Sequence, residues 1–274
     1  SSTPLVVRLG NPDLKAWRSV SYIFAEYKDL RSPRHNYTLS AGFNYIHNDV
    51  SQSVSFNAKN GVYTYRPENI HGAYDAKAKA TVFYTLDANR RWTVENCAAG
   101  NFIHSLDHAM LAGETQSQVN AVNTLTLYDW AYLQYNKGSL YVRATGDVRW
   151  RHSESKRPGF AALNATDFRY GLAARYTIPL LNTTISMDGN MYSRRGYGNL
   201  GLNRDDFVLN ASASQSFLKG KLVARIEAFD LLHQLSSADY KVNAQGRTET
   251  WCRTLPHYLM GHVIYHFNKN PKRK

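Results

Sequence analysis

Residues 164–232 constrain the fold more than any other stretch, because four runs of apolar–polar alternation follow one another there with little between them. In the first, Phe168, Tyr170, Leu172, Ala174, Tyr176 and Ile178 alternate with Arg169, Gly171, Ala173, Arg175 and Thr177. A period of two over that length sends the two sets to opposite faces of an extended strand. Leu181, Thr183, Ile185, Met187 and Met191 then alternate with Asn182, Thr184, Ser186, Asp188 and Asn190. Phe207, Leu209, Ala211, Ala213 and Phe217 oppose Asn210, Ser212, Ser214 and Ser216, and Leu222, Ala224, Ile226 and Ala228 oppose Arg225, Glu227 and Phe229.

The connections decide what kind of sheet these strands build. Residues 178–182 and 217–221 are tight turns, whereas 193–203 is a long glycine-rich loop. Long strands with short turns at one end and long loops at the other form the pattern of an outer-membrane barrel. Strands of a globular sandwich are shorter, near five or six residues. The polar set carries Arg, Asp and Glu beside Ser and Asn, which suits a water-filled lumen. The expected fold is therefore all-β, an antiparallel up-and-down transmembrane β-barrel.

Extending the same analysis outward gives more strands. Leu140, Val142, Ala144, Val148 and Trp150 alternate with Tyr141, Arg143, Thr145, Asp147 and Arg149. Residues 123–135 precede them, with Leu125, Leu127, Ala131 and Leu133 on the apolar side and Asp129 among them, a costly position at mid-membrane and a cheaper one near an interface. Further strands fall at 17–28, around Tyr37–Tyr45, at 75–86, at 91–105 and at 258–267, which makes eleven. Long connections are expected at 57–70, 106–118, 152–163, 195–203 and 233–253, with 57–70 a loop or an extramembrane hairpin. If the last strand ends in the periplasm, the short turns are periplasmic, the long loops are extracellular, and 1–16 is one more such loop. Bacterial single-chain barrels have even strand numbers, so eleven strands read as part of a larger barrel. The chain is expected to be one partial barrel domain over 1–274, with strands in 17–268 and a basic tail at 269–274.

Composition is compatible with this and narrows it little. Mean hydropathy is negative, as barrel alternation permits. No apolar run of about 18 residues is present to cross a bilayer as a helix. The opening Ser1-Ser2-Thr3-Pro4 has neither a basic start nor an apolar core of a secretory signal. Nineteen tyrosines among 274 residues suit membrane interfaces, where one end of the ring is wet. The net charge of +12 invites a nucleic-acid reading. The cations are, however, spread over strand faces and loops, a distribution that fits a surface among anionic lipids and leads us to expect no nucleic-acid partner. Cys97 and Cys252 lack metal-binding or redox spacing, and their pairing stays open.

Several motifs tempt and then fail. Gly196-Tyr-Gly198-Asn-Leu-Gly201 spells G-x-G-x-x-G, but a strand follows where a dinucleotide site needs a helix. His104 and His108 have the spacing of zinc ligands on a helix, but Ser105 stands where the glutamate of H-E-x-x-H belongs. His262 and His266 lie about 13 Å apart in a strand, too far to share an ion, and are placed in the lumen. No nucleophile elbow, Walker loop or catalytic carboxylate pair is present, so no enzyme, cofactor or metal is expected.

What remains is a split of faces. Arg143, Asp147, Arg149, Arg169, Arg175, Asp188, Asn190, Arg225 and Glu227 are expected to line the lumen, either as cross-strand ion pairs bracing the wall or as a path for a solute or a seat for a plug. Phe168, Tyr170, Leu172, Tyr176, Ile185, Met187, Phe207, Leu209, Ile226, Val263, Tyr265 and Phe267 are expected to face lipid.

Short motifs in order along the chain add a resemblance. Leu9-Gly10-Asn11-Pro12-Asp13-Leu14-Lys15 resembles the entry to a late barrel strand in TonB-dependent receptors, although Ala16 stands where proline is usual. Asn203 to Ser212, Ser216-Phe217-Leu218-Lys219, Asp230-Leu231-Leu232 and Tyr265-His266-Phe267-Asn268-Lys269 are similar to the C-terminal barrel of the Bacteroidota outer-membrane β-barrel family, which the chain then overruns into its basic tail. The resemblance implies a barrel of about 22 strands, of which this chain would be the C-terminal half, with a plug and the other barrel half upstream. It also implies location in the bacterial outer membrane, nutrient uptake without catalysis, and engagement of TonB and a surface lipoprotein through the full-length protein. Competing readings are a structural or secretion-associated barrel without import, a soluble β-rich module that binds polyanions, and a barrel lipase.

Overall fold

The computed structural model describes residues 5–15, 17–29, 32, 34–111, 113–198, 200–235, 238–242, 247–251 and 257–267. Its strands are β1 (Val6–Arg8), β2 (Ser19–Asp29), β3 (His35–His47), β4 (Asp49–Asn57), β5 (Val62–Ile70), β6 (Ala73–Thr85), β7 (Trp92–Ala109) and β8 (Gln118–Lys137). They continue as β9 (Leu140–Glu154), β10 (Leu163–Ile178), β11 (Thr183–Arg195), β12 (Asp205–Phe217), β13 (Leu222–Phe229), β14 (Ala238–Val242), β15 (Arg247–Trp251) and β16 (Tyr258–Tyr265). Among the described residues the helical turns are the 3-10 segments Leu200–Leu202 and Leu218–Gly220, both in connections. No helix is long and apolar enough to cross a membrane.

Eleven strands form one antiparallel sheet in the order β16-β13-β12-β11-β10-β9-β8-β7-β6-β3-β2. Each strand lies beside its neighbour in the chain, apart from the two places where a hairpin intervenes, so the topology is the expected meander. Among the described residues the sheet is open: β2 and β16 are its edges and do not pair with each other.

Tight turns gather at one end. Gly138 takes φ 58° between β8 and β9, Asn182 takes φ 51° after β10, and Leu218, Lys219 and Gly220 take φ 53°, 55° and 89° after β12. Left-handed residues let so short a link reverse the chain. The opposite end carries the long connections, and two of these contain strands of their own. β14 and β15 form a separate hairpin. β4 and β5 form another, on which β1 adds in parallel.

The β4–β5 hairpin corrects the sequence analysis in two respects. The chain leaves the main sheet at Asn48, a buried residue with φ 53°, so the excursion begins at 49 and not at 57. Residues 6–8, expected within a loop, are a strand. Asn11 then holds the entry segment against β5, its Nδ2 donating to the Pro67 carbonyl at 2.9 Å and its Oδ1 accepting from Arg66 Nη2 at 2.9 Å. β7 and β9 also run further than expected, to Ala109 and Glu154.

The register shows which side chains share a face. Phe168, Tyr170, Leu172 and Tyr176 share one face with Ile185, Met187, Phe207 and Leu209 through pairs such as Tyr176↔Ile185 and Met191↔Phe207. Ile226 and Val263 join them across β13 and β16. No second layer covers this face among the described residues: Tyr170 is 56% exposed, Leu172 57% and Val263 80%. The sheet therefore presents an uncovered apolar surface. The buried residues cluster instead at the long-loop end, where Leu163, Ala165, Tyr197 and Leu202 pack together.

Candidate functional site: the polar face

Every residue expected to line a lumen lies on the face opposite the apolar one. Asp147 pairs with Arg169, Arg149 with Asp167, Ala173 with both Arg143 and Asp188, and Gly171 with Asn190. Arg225 and Glu227 continue these rows across β12.

Part of the set is internally satisfied. Arg169 Nε donates to Asp147 Oδ2 at 2.5 Å. Asp188 Oδ2 accepts from the amides of Asn190 and Asn210 at 3.1 and 2.9 Å. Arg225 is paired with Glu227, whose Oε2 also meets His262 Nε2 at 2.9 Å. Gly171 makes the second arrangement possible, since a Cβ there would collide with Asn190 Oδ1 and lie 2.6 Å from the Gly189 carbonyl. Arg169–Asp147, Asn210–Asp188 and His262–Glu227 cross between strands, whereas Arg225–Glu227 and Asn190–Asp188 stay within one.

The remaining cations are held differently. Arg143 places its Cζ 3.7 Å from the centroid of the Tyr132 ring, Arg175 lies 5.0 Å over Tyr141, and Arg149 lies 5.2 Å over Tyr128. A guanidinium on a tyrosine face gains about 0.5–2 kcal/mol and keeps its N–H edges available. Among the described residues no carboxylate lies within salt-bridge distance of these three, nor of Lys77 and Lys79 on β6, and the buried Nε of Arg143 has no hydrogen-bond partner. Lys77, Lys79 and Tyr128 line a recess of about 650 Å³ on this face. Asp75 at its rim is engaged by Asn44 Nδ2 at 2.8 Å.

The apolar face has a polar exception. Asp129 lies on it, as the alternation required, and accepts from Asn96 Nδ2 at 3.0 Å. A trough of about 780 Å³ runs beside it over a floor of Ala41, Ala78, Ala80, Ala98 and Gly100.

At the long-loop end the structure assembles a group that spacing could not reveal. Ser51 on β4 donates its hydroxyl to Asp107 on β7. Its oxygen lies 2.9 Å from both the backbone nitrogen and Nδ1 of His108, and His108 Nε2 lies 3.6 Å from Glu68. Serine, histidine and glutamate in a row suggest a hydrolase. Here the serine is 5% exposed, and its hydroxyl is already committed as donor to a carboxylate and as acceptor from a main-chain N–H. The arrangement works as a clasp joining the β4–β5 hairpin to β7. It also corrects the placement of His108, which sits in a strand with His104, four residues and about 13 Å away. His104 meets Asn123.

Two other motifs acquire structural roles. Gly196 takes φ 81°, and a Cβ there would strike the Asn164 carbonyl, so the first glycine of G-x-G-x-x-G permits a close backbone approach. Cys97 is buried on the polar side of β7 and unpaired, while Cys252 and the basic tail lie outside the described residues.

Tyr197 fastens the loop that follows Gly196. Its hydroxyl donates to both Asp167 oxygens at 2.8 and 3.0 Å, and its backbone exchanges hydrogen bonds with the Asn203 side chain. Burial first, and the Asp167 carboxylate second, raise this phenol above the ordinary tyrosine range.

The chain matches no family model, no curated protein and no solved structure.

Proposed function

We propose that the chain is part of an outer-membrane β-barrel of the TonB-dependent receptor kind, serving passage of a nutrient across the bacterial outer membrane without catalysis. One observation carries this reading. An eleven-strand antiparallel meander has one face apolar and uncovered and the other lined with charged and amide side chains. Soluble monomers rarely expose apolar patches beyond a few hundred Å², whereas a barrel wall needs lipid on one side and water on the other. Most strands of the main sheet also exceed the 9–11 residues that span a bilayer obliquely. On this reading the tight turns face the periplasm, and the long loops, with the β4–β5 hairpin, lie outside the cell.

The first test is contact with lipid. In vesicles of brominated phosphatidylcholine, tyrosine and tryptophan emission should be quenched, and a Leu172→Cys probe carrying a fluorophore should be quenched more than the same probe at Thr145. Equal quenching at the two positions, or stable folding in detergent-free buffer, would remove the membrane reading. Energised uptake by the full-length receptor, with and without its TonB partner, then separates import from a structural or secretion-associated barrel.

A further inference from the structure

We infer that the polar face seats an extended acidic peptide, bound through carboxylates on alternate residues. The inference deepens the reading of this face as the wet side of a barrel wall and rests on that reading.

Five cations carry it. Arg143, Arg149 and Arg175 are steadied on tyrosine rings, and Lys77 and Lys79 stand at the recess. The acidic groups near them have partners of their own: Asp147 has Arg169, Asp167 the Tyr197 hydroxyl, Asp188 two amides and Asp75 the Asn44 amide. None of the five cations has an ion-pair partner among the described residues, and the three guanidiniums are held in place by packing on tyrosine rings.

Spacing identifies the class of ligand. Lys77 and Lys79 are two residues apart on one strand, which is about 7 Å. Arg175 pairs in register with Tyr141, two residues from Arg143 on the adjacent strand, so this second pair is separated by about 8 Å. Side chains on one edge of an extended peptide repeat at the same interval of about 7 Å. Each guanidinium forks onto one carboxylate, so singly charged groups at that repeat fit better than clustered phosphates. Arg149 lies between the two pairs, about 20 Å along β9 from Arg143 and three strands from Lys79. The whole track is spanned by roughly ten extended residues. Ser186, Ser212, Thr145 and Thr184 on the same face supply partners for a peptide backbone.

The test uses the chain refolded in detergent micelles and a synthetic decapeptide alternating glutamate and threonine. Binding is measured by calorimetry at low and moderate salt. The expected result is saturable binding that weakens with salt, falls at least tenfold in the Arg143→Gln/Arg175→Gln variant, and falls at least tenfold for the glutamine version of the peptide. The Lys77→Gln/Lys79→Gln variant provides a second reading should the first fail to fold. Equal affinity for the glutamine peptide, or unchanged affinity in both variants, overturns the proposal. Tenfold tighter binding of tetragalacturonate or tripolyphosphate assigns the track to another anion and also overturns it. Lipid quenching on the same preparations keeps the two readings separate. Quenching without variant-sensitive binding removes the peptide site alone, and binding without quenching removes the barrel.

Discussion

Asp230 is fully buried at φ 46°, and its carboxylate receives the backbone N–H groups of Gln234 and Leu235 at 3.1 and 2.9 Å. Those amides have no alternative acceptor if the side chain is cut back. Asp230→Ala should therefore cost about 1–3 kcal/mol, visible as a lower urea midpoint for refolding in detergent, with a milder effect for Asp230→Asn. Tyr197 makes a pH-dependent contribution. Because its phenol titrates higher in the folded chain, its contribution is complete below the ordinary tyrosine value of about 10 and is lost as the pH rises through the elevated one. Tyr197→Phe should weaken the fold by about 1.5–3 kcal/mol at neutral pH, since Asp167 loses a donor. The deficit should shrink as the pH climbs past 10. A deficit independent of pH would show that the phenol is not tied to the fold in this way.

Among the elements, the strands were far more legible than the excursions. Alternation in 168–229 marked four strands and both faces because burial on a pleated sheet depends on parity alone. The departure of the chain at Asn48 left a fainter trace: apolar residues stand at odd positions up to Tyr45 and at even ones at Val50 and Val54, with polar Gln52 between, and Asn48 takes the left-handed conformation at the shift. The clasp was out of reach for a different reason. Ser51 is 56 residues from Asp107 and 57 from His108, and they meet through the folding of the hairpin against β7 and the 115–117 segment. The arginine–tyrosine contacts fall between these cases: the faces were legible, but the partner of each arginine depends on register. Ser51→Ala tests the clasp at this scale. Amides of β4 and β5 should exchange with solvent at least tenfold faster, while those of β8–β10 keep their protection. Uniform loosening would mean that the hairpin supports the whole sheet.

Across the whole molecule, the two faces should respond to charge in opposite ways. Leu172→Arg puts a cation in the middle of the apolar face and should cost about 2–4 kcal/mol of folding free energy in a bilayer. Thr145→Arg, on the opposite face, should cost far less. The comparison is read from urea titrations of vesicle-inserted protein, and equal costs would contradict a lipid-facing surface.

Among the described residues β2 and β16 are the unpaired edges of the sheet, which bears on how a wall of this kind could sit in hydrocarbon. Each exposes a line of peptide dipoles that water can solvate and oil cannot, at several kcal/mol for every group left alone. In the bilayer that the proposed function calls for, these margins would be unfinished seams, satisfied only by zipping onto each other or onto a further strand.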